Sequence, residues 1–277
     1  MDETESQFFH RLTEPYADRY KILWEYLEES KLSPQSISLS HTRHILLSPH
    51  HIMHRDGPPK VLIAHYDSVP GSPGANDNGA AVLQLIRAAK LLQKEKIPNW
   101  YLFFTDKEER PKGSGISSQG SYYVAQGFKN IGLEEAHCYI FDACGRGNTL
   151  IFSTALENLT KQNISDAMTE RIAQTRKLRT YGLEIARSLS IRNIQLLATP
   201  FSDDLGFLSA GLTAQTITML PEDEAQTLLK HRRSNNIFSS IKTWQLLNSP
   251  QDRRETLTQD GFVIIPELAF ALCAASR

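Results

Sequence analysis

An imidazole and four carboxylates stand at the ends of three short apolar runs. Val61 to Ala64 leads into His65-Tyr66-Asp67. Trp100 to Phe104 leads through Thr105-Asp106-Lys107 into Glu108-Glu109, and Cys138 to Phe141 stops at Asp142. Runs of this length, rich in β-branched and aromatic residues, read as buried strands of a parallel sheet. In an open α/β sheet, ligands lie outside the carboxyl ends of the strands. Carboxylates gathered at one such edge repel one another unless a cation sits among them. The pattern therefore predicts a metal site suited to hydrolysis.

The elements that must position these groups follow from the rest of the chain. Phe8, Leu12, Tyr16, Tyr20, Leu23 and Leu27 recur at helical spacing and predict one amphipathic helix over 6–30, within an N-terminal segment 1–35. Residues 36–56 read as a β-hairpin. After Asp77 the apolar positions Val82, Leu85, Ile86, Ala89 and Leu92 predict a helix, with Asp77 or Asn78 available to cap it. A polar helix is expected over about 160–190, a strand over 213–219 and a terminal helix over 253–274. The β-α-β-α-β order means an α/β fold: a mostly parallel or mixed central sheet with helices on both faces. The 277 residues suffice for one large domain of this kind, 1–277, with a core over 60–260.

Composition excludes other classes. A net charge of −1, with no long basic run, argues against nucleic-acid binding. No apolar stretch approaches membrane-spanning length, and the acidic start Met1-Asp2-Glu3 lacks the apolar segment of a signal peptide. Three cysteines, Cys138, Cys144 and Cys273, cannot all pair, which fits reduced thiols in the cytoplasm.

The stretch from His65-Tyr66-Asp67 to Gly74-Ala75-Asn76-Asp77-Asn78-Gly79 resembles the signature of the co-catalytic zinc aminopeptidases, the family that includes glutamate carboxypeptidases and glutaminyl cyclases. The Glu108-Glu109 pair, Asp142, and Phe201-Ser202-Asp203-Asp204 followed by Phe207 fall in the family's order and approximate spacing. Several motifs in order are far more specific than any one of them. The resemblance implies a zinc-aminopeptidase fold of the phosphorylase/hydrolase-like type. It implies that His65 and Asp142 bind a first metal, that Asp77 bridges two, and that Glu109 binds the second. Glu108 would be the general base, and Asp67 would orient the His65 imidazole. The cofactor implied is Zn2+, one or two ions, with other divalent metals open. The family also places a cis peptide after the bridging aspartate, here Asp77–Asn78.

One departure bears on all of this. The family's last ligand is a histidine in a segment reading His-Thr-Pro-x-Asp-Thr; here Asn248-Ser249-Pro250-Gln251-Asp252 holds that register. An amide oxygen is a poorer donor to zinc than imidazole, so Asn248 predicts a weak or empty second site. Asp204 and His231 are alternative donors for it. The three ligands of the first site, His65, Asp77 and Asp142, remain. Glutaminyl cyclases keep the complementary set, including the late histidine, which argues against a cyclase.

The expected activity is that of an aminopeptidase acting on peptides or small amides through a metal-activated water. The rival readings are a catalytically degenerate homologue that binds peptide or amino acid, favoured by Asn248, and a small-amide deacylase. The histidines His41, His44, His50, His51 and His54 lack a compact ligand motif and are expected on the solvated face and turn of the hairpin. Arg146 is a candidate contact for a substrate carboxylate or a plain surface turn. Asp203 is expected to cap a helix or anchor the interior.

Overall fold

A computed structural model of the chain describes residues 1–50, 57–109, 113–161, 164–231 and 237–275. Eight strands form one sheet: β1 (Gln35–Leu39), β2 (Thr42–Leu47), β3 (Lys60–His65), β4 (Trp100–Thr105), β5 (His137–Phe141), β6 (Thr149–Ser153), β7 (Ile194–Leu197) and β8 (Ala214–Leu220), in the order β1-β2-β4-β3-β5-β8-β6-β7. The four central strands β4, β3, β5 and β8 run parallel. β2 joins β4 antiparallel and β6 joins β8 antiparallel, so the sheet is mixed, as expected.

The nine helices are α1 (Glu3–Leu12), α2 (Arg19–Glu29), α3 (Ala80–Lys94), α4 (Gly120–Asn130), α5 (Asp166–Ser188), α6 (Asp203–Ser209), α7 (Glu222–His231), α8 (Lys242–Leu246) and α9 (Gly261–Ala274) among the described residues. Strand β3 shows how they cover the sheet. Leu62 and Ala64 point into a cluster that holds Phe8, Leu23, Leu85 and Ile265, from α1, α2, α3 and α9. Val61 and Ile63 point into a second cluster with Val124, Phe128 and Phe207, from α4 and α6. Side chains alternate across a strand, so a run apolar at every position is a strand buried on both faces. That is why Val-Leu-Ile-Ala could be placed centrally from sequence.

Several local expectations give way. The single helix over 6–30 is two: the chain turns between Leu12 and Arg19, with Tyr16 at φ 64 and Asp18 accepting the Lys21 amide at 3.0 Å. Pro15 interrupts the hydrogen-bond ladder that the apolar spacing alone did not register. Neither Asp77 nor Asn78 caps α3, which begins at Ala80 with no side-chain cap. The terminal helix starts at Gly261, after a 3₁₀ turn over Arg254–Thr256. The hairpin is present as β1 and β2, and residues 51–56 of the expected 36–56 lie outside the described ones.

His44 is buried in that hairpin rather than solvated, while His41 and His50 are exposed and His51 and His54 lie outside the described residues. The His44 Nδ1 accepts the Asp106 amide at 3.2 Å. Thr42 donates to the Leu39 carbonyl at 2.7 Å, so its oxygen receives the His44 Nε2–H at 2.6 Å. This arrangement holds the ring neutral, and burial pushes its pKa down to about 4. A histidine whose folded pKa is depressed gives stability that is complete above its unfolded value near 6.5 and lost as pH falls toward 4. The expected loss from this group is roughly 3 kcal/mol across that window. Urea unfolding of the wild type and His44→Gln at pH 7 and pH 4.5 checks it: the gap between the two should narrow at the lower pH, and a constant gap refutes the assignment.

Candidate metal centre

The site lies where β3, β4 and β5 end. Residue pairing puts His65 opposite Thr105 and Ile63 opposite Ile140, so the three carboxyl ends come out side by side. His65 is the last residue of β3, and Asp142 follows β5 with its amide bonded to the Ile217 carbonyl of β8 at 3.0 Å. Asp77 arrives from the loop between β3 and α3, where the Asp77–Asn78 peptide is cis. The Asn78 amide group spans to β5: Nδ2 donates to the Phe141 carbonyl at 2.8 Å and Oδ1 accepts the Ala143 amide at 3.3 Å.

One donor atom each from His65, Asp77 and Asp142 falls within 4.8 Å of the others. His65 Nε2 lies 3.1 Å from Asp77 Oδ1 and 3.6 Å from Asp142 Oδ1. Ligands about 2.1 Å from a tetrahedral zinc stand roughly 3.4 Å apart, so these spacings suit a single ion. The chemistry of the donors fits as well: imidazole and carboxylate are both zinc donors, and three protein ligands leave room for a fourth. His65 Nε2 and Asp142 Oδ1 are buried without a hydrogen-bond partner, and so is Glu109 Oε1. Two of the converging donors thus carry orphaned buried atoms, a combination that calls for a cation.

His65 is oriented from behind. Its Nδ1 donates to the Asp67 main-chain oxygen at 3.3 Å, with the Asp67 carboxylate 3.5 Å away. The Asp67 carboxylate, to which the resemblance assigned this orientation, also holds the chain ahead. Its two oxygens accept the Glu108 and Glu109 amides at 3.2 and 3.0 Å. Asp67 thus fixes the loop that carries both glutamates. Burial would lower the His65 pKa, but the Asp142, Asp67 and Asp77 carboxylates raise it well above the usual value.

Glu108 and Glu109 differ in their partners. Glu108 Oε1 accepts from the Gln119 amide at 3.1 Å, and burial, reinforced by Asp142, Asp203 and Glu109, raises its pKa well above the ordinary range. Glu109 stands outside the three-residue group; burial and the Asp77 carboxylate push it up to about 9. Asp203 is a buried anchor that accepts from the Thr105 hydroxyl at 2.6 Å, and burial raises it to about 6.

Asn248 is exposed and sits at φ 56. Asp252, four residues on, is fully buried and accepts the Asn76 and Asp77 amides at 2.8 and 2.9 Å. Sequence reasoning passed over Asp252, although it occupies the aspartate of the quoted His-Thr-Pro-x-Asp-Thr segment. Gln119 was also missed, and no sequence signal marks it. Of the alternative donors, Asp204 is buried against the Ser202 amide at 3.1 Å, and His231 is exposed at the end of α7. Neither joins the group. Arg146 is no free surface residue: it donates to Thr243 Oγ1 at 3.1 Å and to the Thr256 carbonyl at 2.9 Å.

The model of peptidase family M28 matches residues 53–247. The chain belongs to that family. Comparison of this M28 chain with curated proteins finds no match. Among solved structures it resembles a zinc aminopeptidase from Bacillus subtilis, at 20% identity over 83% of this chain and 48% of that one, with a TM-score of 0.55. It thus spans about half the length of that protein. It also resembles the LapA aminopeptidase of Legionella pneumophila, at 15% identity, 100% and 71% coverage and a TM-score of 0.67. The glutaminyl cyclase of Porphyromonas gingivalis is similar at 15% identity, 98% and 96% coverage and a TM-score of 0.68. At such identities the likeness is one of fold. Family membership supports a metal-dependent hydrolase of the metallopeptidase kind. No described helix is long and apolar enough to cross a membrane.

Proposed function

We propose that this M28 chain is an aminopeptidase that removes N-terminal residues from peptides or small amides, with zinc held by His65, Asp77 and Asp142. The observation that carries the reading is the convergence of these three donors, two of them with orphaned buried atoms, with the half-buried Glu108 held on the neighbouring strand exit by Asp67. A bound divalent ion supplies Lewis acidity, which activates water for attack on an amide carbonyl at neutral pH. Glu108 takes the proton from that water and returns it to the leaving amine. Gln119 holds one Glu108 oxygen, leaving the other for the proton. Asp67 keeps Glu108 and Glu109 in place through their amides, and Asp252 does the same for Asp77.

Glu109 is proposed as a ligand of a second, weaker ion, with the Asn248 amide oxygen, a poorer donor, where the family has histidine. A second reading, a homologue that binds peptide or amino acid without turnover, draws on the exposed Asn248. Cyclase activity is disfavoured by the same position. A cytoplasmic location is proposed on the cysteines, none of which forms a disulfide. The experiment is zinc stoichiometry on protein purified without chelator, with hydrolysis of aminoacyl amides on the same sample. About one zinc per chain with hydrolysis is expected. Zinc without hydrolysis selects the binding reading, and no zinc with no hydrolysis sinks the enzymatic reading and leaves a binding protein on this fold.

A further inference from the structure

Arg19 is the odd residue of the interior. It opens α2, is 5% exposed, and lies outside the residues matched by the family model. Its guanidinium makes no ion pair among the described residues. It donates instead to three main-chain oxygens: Nη1 to Tyr66 at 3.2 Å, and Nη2 to Pro73 and to Gly74, the latter at 3.3 Å. Tyr66 lies between His65 and Asp67, while Pro73 and Gly74 begin the loop that delivers Asp77. The Gly74 oxygen also accepts the Gly79 amide at 3.0 Å, closing the turn that contains Asp77.

A buried cation without a carboxylate partner is a costly way to hold three carbonyls. Burial does depress its pKa, and the opposing negative charges are Asp67, Asp77, Asp252 and Glu109. All four carry or support the metal centre. An apolar residue would fill the space more cheaply if packing were the whole role.

We propose that Arg19 is a positioning residue of the metal centre: its guanidinium fixes the His65–Asp67 strand exit against the Asp77 loop and sets the geometry of the His65, Asp77 and Asp142 donors. The inference rests on the metal-site reading above. A guanidinium donates in a planar fork that an ammonium cannot reproduce, so Arg19→Lys keeps the charge and loses the three-carbonyl bridge. Arg19→Gln keeps two donors and loses the charge.

The test is zinc affinity by competition titration, together with the visible absorption spectrum of the cobalt-loaded protein, for the wild type and both variants. Each variant is expected to bind zinc at least tenfold more weakly and to show an altered cobalt spectrum, reporting changed ligand geometry. A residue that serves stability alone would lower the unfolding midpoint and leave both readouts unchanged. A folded variant with wild-type zinc affinity and cobalt spectrum overturns the proposal. So does failure of both variants to fold, which would make Arg19 a requirement of the fold. If the wild type takes no zinc, the metal-site reading falls with it; a wild type that binds and variants that match it overturn the Arg19 role alone.

Discussion

Replacing Glu108 with glutamine should cut hydrolysis at least about a hundredfold while the protein keeps its zinc. Glu108 is not among the three residues whose donor atoms converge, so its removal leaves the ion's contacts intact. The amide side chain has nearly the same shape and still faces Gln119, so the loop held by Asp67 has no reason to move. What disappears is a group able to take and return a proton. General acid–base catalysis is worth about 10²–10⁴ in rate, and kcat should fall by that factor. The assay pairs steady-state hydrolysis of an aminoacyl amide with metal analysis of the same sample. Activity within threefold of the wild type would move the base elsewhere, to Glu109 or Asp203.

Asp77→Ala should have the opposite signature: zinc is lost first, and activity with it. Asp77 is the one donor supplied by a loop rather than a strand end, and its Oδ1 stands nearest to His65 Nε2. Without it only His65 and Asp142 remain, too few to hold an ion against water. Loss of a residue that merely orients a ligand costs 10–100-fold in metal affinity, so loss of the ligand itself should exceed about 100-fold. Asp252→Asn provides the graded comparison. Asp252 touches the Asn76 and Asp77 amides, so its variant should weaken zinc by about 10–100-fold. Equal affinity in Asp77→Ala and wild type, measured by zinc competition, would remove Asp77 from the site.

The central strands and the three strand-end groups were legible because their signal is local. Val61–Ala64 and Leu102–Phe104 are apolar at every position, and a strand buried on both faces leaves that mark in any sequence. What was not legible depends on contacts between distant residues. Asp67 reads as a partner of His65 because the two are neighbours in the chain. That its carboxylate also grips the amides of Glu108 and Glu109 depends on β3 and β4 lying side by side. Gln119 and Arg19 reach the site from the start of α4 and from α2, and nothing in their own surroundings marks them; Asp252, on a loop, was marked only by the segment that Asn248 begins. His44 was misplaced for the same reason: polar neighbours in a hairpin suggest solvent, yet β2 pairs with β4 and the Asp106 amide comes to meet the ring. The helix over 6–30 failed differently. Apolar spacing persisted through a turn that Pro15 makes necessary, so periodicity outweighed the stronger local constraint.

The two clusters that sandwich β3 carry a consequence for where this molecule begins and ends physically. The family pattern covers 53–247, yet the larger cluster draws Phe8 and Leu23 from before that stretch and Ile265 and Leu268 from after it. The border that shared ancestry draws therefore runs through the middle of a hydrophobic interior. Trimmed to that border, this face of the sheet would keep α3 and α5 but lose α1, α2 and α9, opening the larger cluster to water. Kinship and cohesion partition the same chain differently, and the flanking helices, outside the inherited pattern, belong to the cohesive body.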